Sequence, residues 1–173
     1  MCAVKRARIL TLLVVAVCSA GSVSAAEEPP PRPVFPEVIF TPLDGGDTMT
    51  MTAFRGRPVL LTFWASWCGP CRVELPELSR LYGDLAGRGF VLITVNVDRN
   101  PNVGRQFLER LGLNLPVYRL NPRDLQALGI NALPANILLD PEGRYVQAYK
   151  GYTPAVVEDV RRMVLEMTSP KEP

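Results

Sequence analysis

Apolar and polar residues alternate along the chain with two different periods, which predict strands and helices in turn. Residues 59–64 (VLLTFW) and 90–97 (FVLITVNV) are continuous apolar runs, typical of strands buried in the middle of a sheet. Residues 73–85 and 103–111 instead repeat apolar side chains at helical spacing. Near the N-terminus of the domain a strand is predicted at 38–40, and residues 48–52 are either its hairpin partner or an edge segment. The other predicted elements are a strand at 115–120, a helical turn at 124–128, a hairpin of 137–139 with 145–149, and a last helix at 154–167. This alternation predicts an α/β fold, with a central mixed sheet flanked by helices.

The first residues show a different pattern, which is typical of a leader. A basic patch precedes a short apolar run and a stretch of small residues, so residues 1–25 are predicted to be a signal peptide that is removed by cleavage. The apolar run is shorter than the roughly 18 to 20 residues that a membrane anchor needs. A lipoprotein signal is an alternative because Cys18 ends the run, but such signals carry a small residue where this chain has Val17.

Residues 26–36 (AEEPPPRPVFP) are rich in proline and predict an extended linker, which leaves residues 37–168 as one domain. The leader holds three basic residues and no acid, so its removal changes the net charge from +2 to −1. The charge of the exported chain therefore gives no reason to expect binding to nucleic acid or to an anionic membrane.

Loss of the leader also removes Cys2 and Cys18, and leaves Cys68 and Cys71 as the cysteines of the exported chain. A disulfide framework needs cysteines spread along the chain, and a pair separated by two residues closes too small a loop to stabilise the fold much. Tetrahedral zinc needs four ligands, whereas the sequence has no histidine. The pair therefore predicts thiol–disulfide chemistry, without a metal or another cofactor.

The predicted elements put Cys68 where a central strand ends and a helix begins. Unpaired N–H groups and the helix dipole at that point favour a thiolate, Gly69 permits close approach of a partner's backbone, and Pro70 suits the first helical turn. Cys71 lies one turn into the helix and is expected to be less accessible. We therefore predict that Cys68 attacks a partner disulfide and that Cys71 resolves the mixed disulfide.

Residues 63–72 (FWASWCGPCR) closely resemble the active-site segment of thioredoxin-fold proteins. The longer pattern resembles the exported TlpA/ResA-like branch of that fold. Glu74 and Pro76 follow the motif, and the segments 95–98 (VNVD) and 129–143 (GINALPANILLDPEG) match as well. The likeness spans nearly the whole predicted domain.

The resemblance implies features that spacing alone does not give. It implies a thioredoxin-like fold with an N-terminal β-hairpin and a central helix-containing insertion, here residues 100–121. Pro134 matches the family's cis-proline, which faces the cysteine pair and lines the groove where a partner's backbone docks, and Leu133 is implied to lie against the disulfide. Trp67, directly before the first cysteine, is expected to border the partner-binding surface, and Trp64 to lie in the core.

Two positions depart from thioredoxin itself. Thr62 stands where thioredoxin has a buried aspartate that is thought to accept a proton from the inner cysteine, and Thr94 stands where it has a nearby lysine. The route of that proton is therefore open. Glu74 is the nearest acid in the sequence. It is interpreted either as a solvated charge on the helix face or as a group that exchanges protons or contacts a partner.

The dipeptide between the cysteines indicates the direction of electron flow. Gly69-Pro70 is the thioredoxin pair, and thioredoxin is a strong reductant at about −270 mV. The exported oxidant DsbA uses Pro-His here, and this chain has no histidine. We therefore expect a reductase in the periplasm or another extracytoplasmic space, with clients that carry disulfides or cysteine pairs.

The resemblance also suggests partners. The clients that it suggests are apocytochrome c before haem attachment and copper-site proteins of oxidase assembly. The expected electron donor is a membrane-bound reductase similar to CcdA or DsbD. The protein itself is expected to be a monomer. Other classes stay open: an exported dithiol oxidase or isomerase, a copper-binding chaperone that uses both cysteines as soft ligands, and a thiol peroxidase, whose motif is different.

Overall fold

The computed structural model describes residues 30–169. The predicted signal peptide and the first residues of the predicted linker lie outside the described residues. Among the helices that the structure describes, none combines the length and the apolar character needed to cross a membrane.

Six strands form one mixed sheet in the order β1-β4-β3-β2-β5-β6. The strands are β1 (Thr41–Pro42), β2 (Val59–Trp64), β3 (Val91–Asn96), β4 (Val117–Arg119), β5 (Ala135–Leu139) and β6 (Tyr145–Lys150). The two long apolar runs become β2 and β3, which pair in parallel at the middle of the sheet. β5 pairs antiparallel with both β2 and β6. The prediction of a central mixed sheet is confirmed.

Helices cover the sheet and divide its side chains between two apolar clusters. The α-helices of the described chain are α1 (Gly69–Leu85), α2 (Pro101–Leu111), α3 (Pro122–Ala127) and α4 (Pro154–Thr168). Successive strand residues point to opposite faces. Leu60 and Trp64 of β2 therefore join the cluster that contains α1, α2 and α4 residues. Leu61 and Phe63 join the cluster on the other face, so that α1 is held against one face of the central strands.

The predicted N-terminal hairpin is present in a reduced form. Phe40 and Met49 exchange two backbone hydrogen bonds, of 2.8 and 3.0 Å. The chain directly after Phe40 forms β1, which pairs with β4 instead of extending the hairpin. Met51–Phe54 forms a short 3-10 helix where the sequence pattern predicted the rest of the partner strand. The predicted insertion is present as α2 and β4.

Residues 33–35, at the end of the predicted linker, contact the domain. The Phe35 N–H donates a hydrogen bond to the Gly143 carbonyl, and the Tyr145 N–H donates one to the Pro33 carbonyl, both at 2.9 Å. The ring of Phe35 is buried and lies 5.5 Å from that of Tyr145, centroid to centroid. This part of the proline-rich segment is thus packed on the turn between β5 and β6.

Candidate active site

Cys68 and Cys71 form a disulfide at the start of α1, with their Cα atoms 5.3 Å apart. Cys68 is the N-cap residue, and its Sγ accepts a hydrogen bond from the Cys71 N–H at 3.2 Å. Pro70 lies in the first helical turn, where its missing N–H leaves no intrahelical bond unmade. The pair therefore lies between β2 and α1, where the sequence predicted it.

The two cysteines differ in accessibility. Cys68 is 5% exposed and Gly69 and Pro70 beside it are exposed, whereas Cys71 is completely buried. A Cβ added at Gly69 would meet no atom within 4 Å, so the space beside this residue, next to Cys68, is open. A partner sulfur can therefore reach Cys68 first, at the helix N-terminus, where backbone N–H groups and the helix dipole favour its thiolate.

Glu74 is completely buried, one turn beyond Cys71 on the same face of α1. Its Oε1 accepts a hydrogen bond of 2.8 Å from Nδ2 of Asn136 on β5. Burial raises the pKa of the Glu74 carboxyl from 4.5 to about 7; the hydrogen bond from Asn136 opposes this rise, and the negative charge of Glu77 adds to it. The interpretation of Glu74 as a solvated charge is therefore wrong, because the helix turns this residue toward the sheet.

Polar side chains surround the Glu74 carboxyl, and among residues 30–169 no cation forms an ion pair with it. Thr62 and Asn136 are register neighbours on β2 and β5, and both are completely buried. The Thr62 hydroxyl, Asn136 Oδ1 and Glu74 Oε2 each lack a hydrogen-bond partner in the described chain. Amide and hydroxyl groups can either donate or accept, so this setting suits the carboxyl in both of its protonation states. The sequence did not predict that Asn136 contacts Glu74; the one sign of a special role is that Asn136 is polar within an otherwise apolar strand.

An apolar groove of about 380 Å³ lies beside the cysteine pair, lined by Trp67, Val97, Leu125 and residues 130–133. Trp67 is 72% exposed, as expected for a residue that borders a partner surface. Across the groove, Leu133 packs against the apolar cluster that contains both cysteines. The Leu133–Pro134 peptide bond is cis, as the resemblance implied. A larger cavity, of about 610 Å³, lies along α4 and includes none of these residues.

Trp64 differs from Trp67 in the way the sequence predicted. Its side chain is completely buried and stacks on Phe107 of α2, with ring centroids 5.7 Å apart. The two tryptophans on either side of residues 65–66 therefore have separate roles. One anchors the end of β2 in the core, and the other faces the groove.

Known proteins share this fold. Residues 34–167 match the model of the AhpC/TSA family. The chain is 32% identical over 123 residues to the thiol-disulfide oxidoreductase ResA of Halalkalibacterium halodurans, an alignment that covers 69% of each protein.

Solved structures agree with the sequence relatives. A Chlorobium tepidum protein assigned as thiol:disulfide interchange protein DsbE superposes with a TM-score of 0.72 and 25% identity, over 80% of this chain and 97% of that one. A thiol:disulfide interchange protein from a Bacteroides species gives 0.68 and 26%, over 82% and 92%. The chain therefore belongs to the AhpC/TSA family, as a thioredoxin-like thiol-disulfide oxidoreductase.

Proposed function

We propose that this protein is an exported reductase, which passes two electrons from Cys68 and Cys71 to disulfides of client proteins outside the cytoplasm. One observation carries the proposal: Cys68, slightly exposed at a helix N-terminus, is paired with the buried Cys71, which lies one helical turn before the buried Glu74. The arrangement supplies an attacking thiolate, a separate resolving thiol and a base. The Gly69-Pro70 dipeptide, which thioredoxin shares, supports the reducing direction.

The first step forms a mixed disulfide. In the reduced protein the Cys68 thiolate attacks one sulfur of the client disulfide, and a bond forms between these two sulfurs. The other client sulfur leaves as a thiolate and takes a proton from solvent. The groove between Trp67 and Leu133 holds the client chain during this exchange.

The second step releases the client. Glu74, whose pKa is about 7, is partly ionised at neutral pH and accepts the proton of the Cys71 thiol. The Cys71 thiolate then attacks Cys68 Sγ, the Cys68–Cys71 disulfide forms, and the second client sulfur leaves reduced. The client gains two electrons and the protein loses two. Glu74 thus serves in place of the aspartate that Thr62 replaces.

The partners follow from this chemistry. Clients are exported proteins with disulfides or cysteine pairs, such as apocytochrome c before haem attachment or copper-site proteins of oxidase assembly. An exported protein has no direct access to cytoplasmic reductants, so a membrane-bound donor similar to CcdA or DsbD reduces the Cys68–Cys71 disulfide again. The predicted leader at residues 1–25 and the similarity to ResA and DsbE support this location, and the protein acts as a monomer.

A trapping experiment tests the roles of the two cysteines. Cys71→Ser keeps the attacking sulfur and removes the resolving one, so covalent client complexes accumulate and run as dithiothreitol-sensitive bands on non-reducing gels. Cys68→Ser is the matched control and gives no such bands. Cells that export Cys71→Ser but contain no adduct contradict the assignment.

Reduction of insulin by dithiothreitol tests the reductase activity itself. The wild-type protein is expected to accelerate precipitation of the insulin B chain, while Cys68→Ser leaves the uncatalysed rate unchanged. A wild-type protein that fails to accelerate the reaction contradicts the proposed function.

A further inference from the structure

Asp98, just after β3, is a buried carboxylate that the mechanism above does not use. Its side chain accepts three hydrogen bonds: from the Ser66 N–H at 3.0 Å, from the Ser66 hydroxyl at 2.9 Å and from Asn96 Nδ2 at 2.8 Å. The residue is 4% exposed, and a carboxylate that loses its water on burial needs donors of this kind. Two of the three donors belong to Ser66, in the loop between β2 and α1.

This loop carries the residues that meet a partner. Ser66 directly precedes Trp67 and Cys68, and the Cys68 N–H donates to the Ala65 carbonyl at 3.1 Å, which closes a turn. Trp67 is 72% exposed, so few contacts of its own hold the indole, and its backbone follows directly on Ser66. Val97, the neighbour of Asp98, lines the same groove as Trp67.

Helix α2 packs against Asn96, one of the three donors to Asp98. A Cβ at Gly104 would lie 2.7 Å from the Asn96 side chain, closer than such atoms approach, so the absence of a side chain here leaves the room that Asn96 occupies. Asn96 in turn accepts a hydrogen bond from the Asp98 N–H at 3.2 Å and donates to its carboxylate. Contacts therefore run without a break from the inserted helix, through Asn96 and Asp98, to the loop that bears Cys68.

The sheet itself has other supports at this point. The Val97 N–H donates to the Trp64 carbonyl at 2.9 Å. β2 and β3 pair along their whole length, from Val59 with Val91 to Trp64 with Asn96. Weakening the Asp98 contacts therefore frees the loop and leaves the strands paired.

We propose that Asp98 is a positioning residue for client binding: together with Asn96 and Gly104, it fixes the Ser66 loop so that Trp67 and Val97 form one wall of the docking groove. This inference rests on the proposal that clients dock in the groove. It does not depend on the direction of electron flow, because thiol–disulfide exchange in either direction uses the same groove.

Two disulfide substrates separate positioning from chemistry. One is an octapeptide cyclised by a disulfide, with a leucine beside each cysteine to enter the groove; the other is bis(2-hydroxyethyl) disulfide, which is too small to span it. Asp98→Asn keeps the size of the side chain but replaces one accepting oxygen by an N–H₂ group, which cannot accept hydrogen bonds from Ser66 and Asn96. We expect this variant to raise KM for the peptide at least tenfold at nearly constant kcat, and to change kcat/KM for the small disulfide less than twofold.

Two glycine variants test the same contacts without changing Asp98 itself. Gly104→Ala pushes on Asn96 and is expected to raise KM for the peptide about threefold or more. Gly83→Ala on α1, whose added Cβ meets no atom within 4 Å, is the matched control and is expected to change neither substrate's kinetics. Equal losses on both substrates, or no loss on the peptide, overturn the inference.

Hydrogen exchange provides a readout that needs no turnover. In oxidised Asp98→Asn the Ser66 amide is expected to exchange at least tenfold faster than in the wild type, while the amides of β2 keep their rates. Unchanged exchange at Ser66 overturns the inference by itself. A wild-type protein that reduces neither substrate, with faster exchange in the variant, counts against the proposed function and leaves the positioning of the loop supported.

Discussion

Glu74 has its chemistry set by burial. The carboxyl lies inside the protein, where its charged form loses hydration. The hydrogen bond donated by Asn136 compensates for this loss only in part, and the negative charge of Glu77 adds to it. The pKa of Glu74 therefore rises to about 7, which suits a group that takes up and returns a proton near neutral pH. The packing of α1 against the sheet thus sets the pKa of the group that we propose as the base in the redox step.

The raised pKa makes folding stability depend on pH. Between pH 4.5 and about 7 the unfolded chain ionises at Glu74 while the folded protein keeps the proton, so the contribution of Glu74 to stability falls as the pH rises and is constant above about 7. Glu74→Gln removes this loss. We expect the oxidised variant to be more stable than the wild type at pH 8 by on the order of 2–3 kcal/mol, with little difference at pH 4. Urea unfolding at both pH values measures this, and equal stability at pH 8 contradicts it.

Activity is expected to change in the opposite direction. Glu74→Gln removes the base for Cys71, so resolution of the mixed disulfide at pH 8 slows by roughly 10²-fold and the loss of activity below about pH 7 disappears from the pH profile. Glu77→Gln, on the same helix, is the control and keeps a pH-dependent limb. A Glu74→Gln enzyme with the wild-type profile rules out Glu74 as the base.

Helix α1 brings the reacting groups together. Its N-terminus presents Cys68, its first turn buries Cys71, and its second turn buries Glu74, so one element sets the attacking sulfur, the resolving sulfur and the base in order. The sequence predicted the first two because a glycine and a proline mark the helix start. Helical spacing also puts residue 74 on the face of residue 71. The sequence could not show that its partner, Asn136, lies opposite on a strand 62 residues away.

A histidine in the first turn of α1 is expected to weaken the reductant. In Pro70→His an imidazolium beside Cys68 stabilises its thiolate, which lowers the pKa of this thiol and raises the redox potential. Absorbance of the thiolate near 240 nm follows the titration. Pro101→His, in the first turn of α2, is the matched control and leaves the titration of Cys68 unchanged. A Pro70→His protein in which the thiol titrates as in the wild type contradicts the argument.

At the scale of the whole molecule, the sheet positions the site on one face. Phe35, from the proline-rich segment, is buried in the apolar cluster on the other face. Strands β2 and β3 could be predicted because a strand that is buried on both faces is apolar at nearly every position. The role of Phe35 was hidden, since one aromatic residue among prolines gives no periodic signal. Asp98 was visible only as part of a family pattern, because the loop that it holds is 32 residues earlier in the chain.

Removal of the Phe35 ring is expected to destabilise the fold without changing the chemistry. Phe35→Ala leaves a gap against Tyr145 and lowers the free energy of unfolding by about 3 kcal/mol. Val34→Ala, at an exposed neighbour, is the control and changes it by less than about 0.5 kcal/mol. Both variants keep wild-type kinetics with a disulfide peptide. A Phe35→Ala protein as stable as the wild type shows that residues 33–35 lie outside the folding unit.

The redox potential of the Cys68–Cys71 couple tests the central claim most directly, because it decides whether the protein donates or accepts electrons. Equilibration of the purified protein with dithiothreitol buffers of known ratio measures it. A reductase with the thioredoxin dipeptide predicts a value below about −220 mV. A value above about −180 mV, toward the roughly −120 mV of DsbA, contradicts the account.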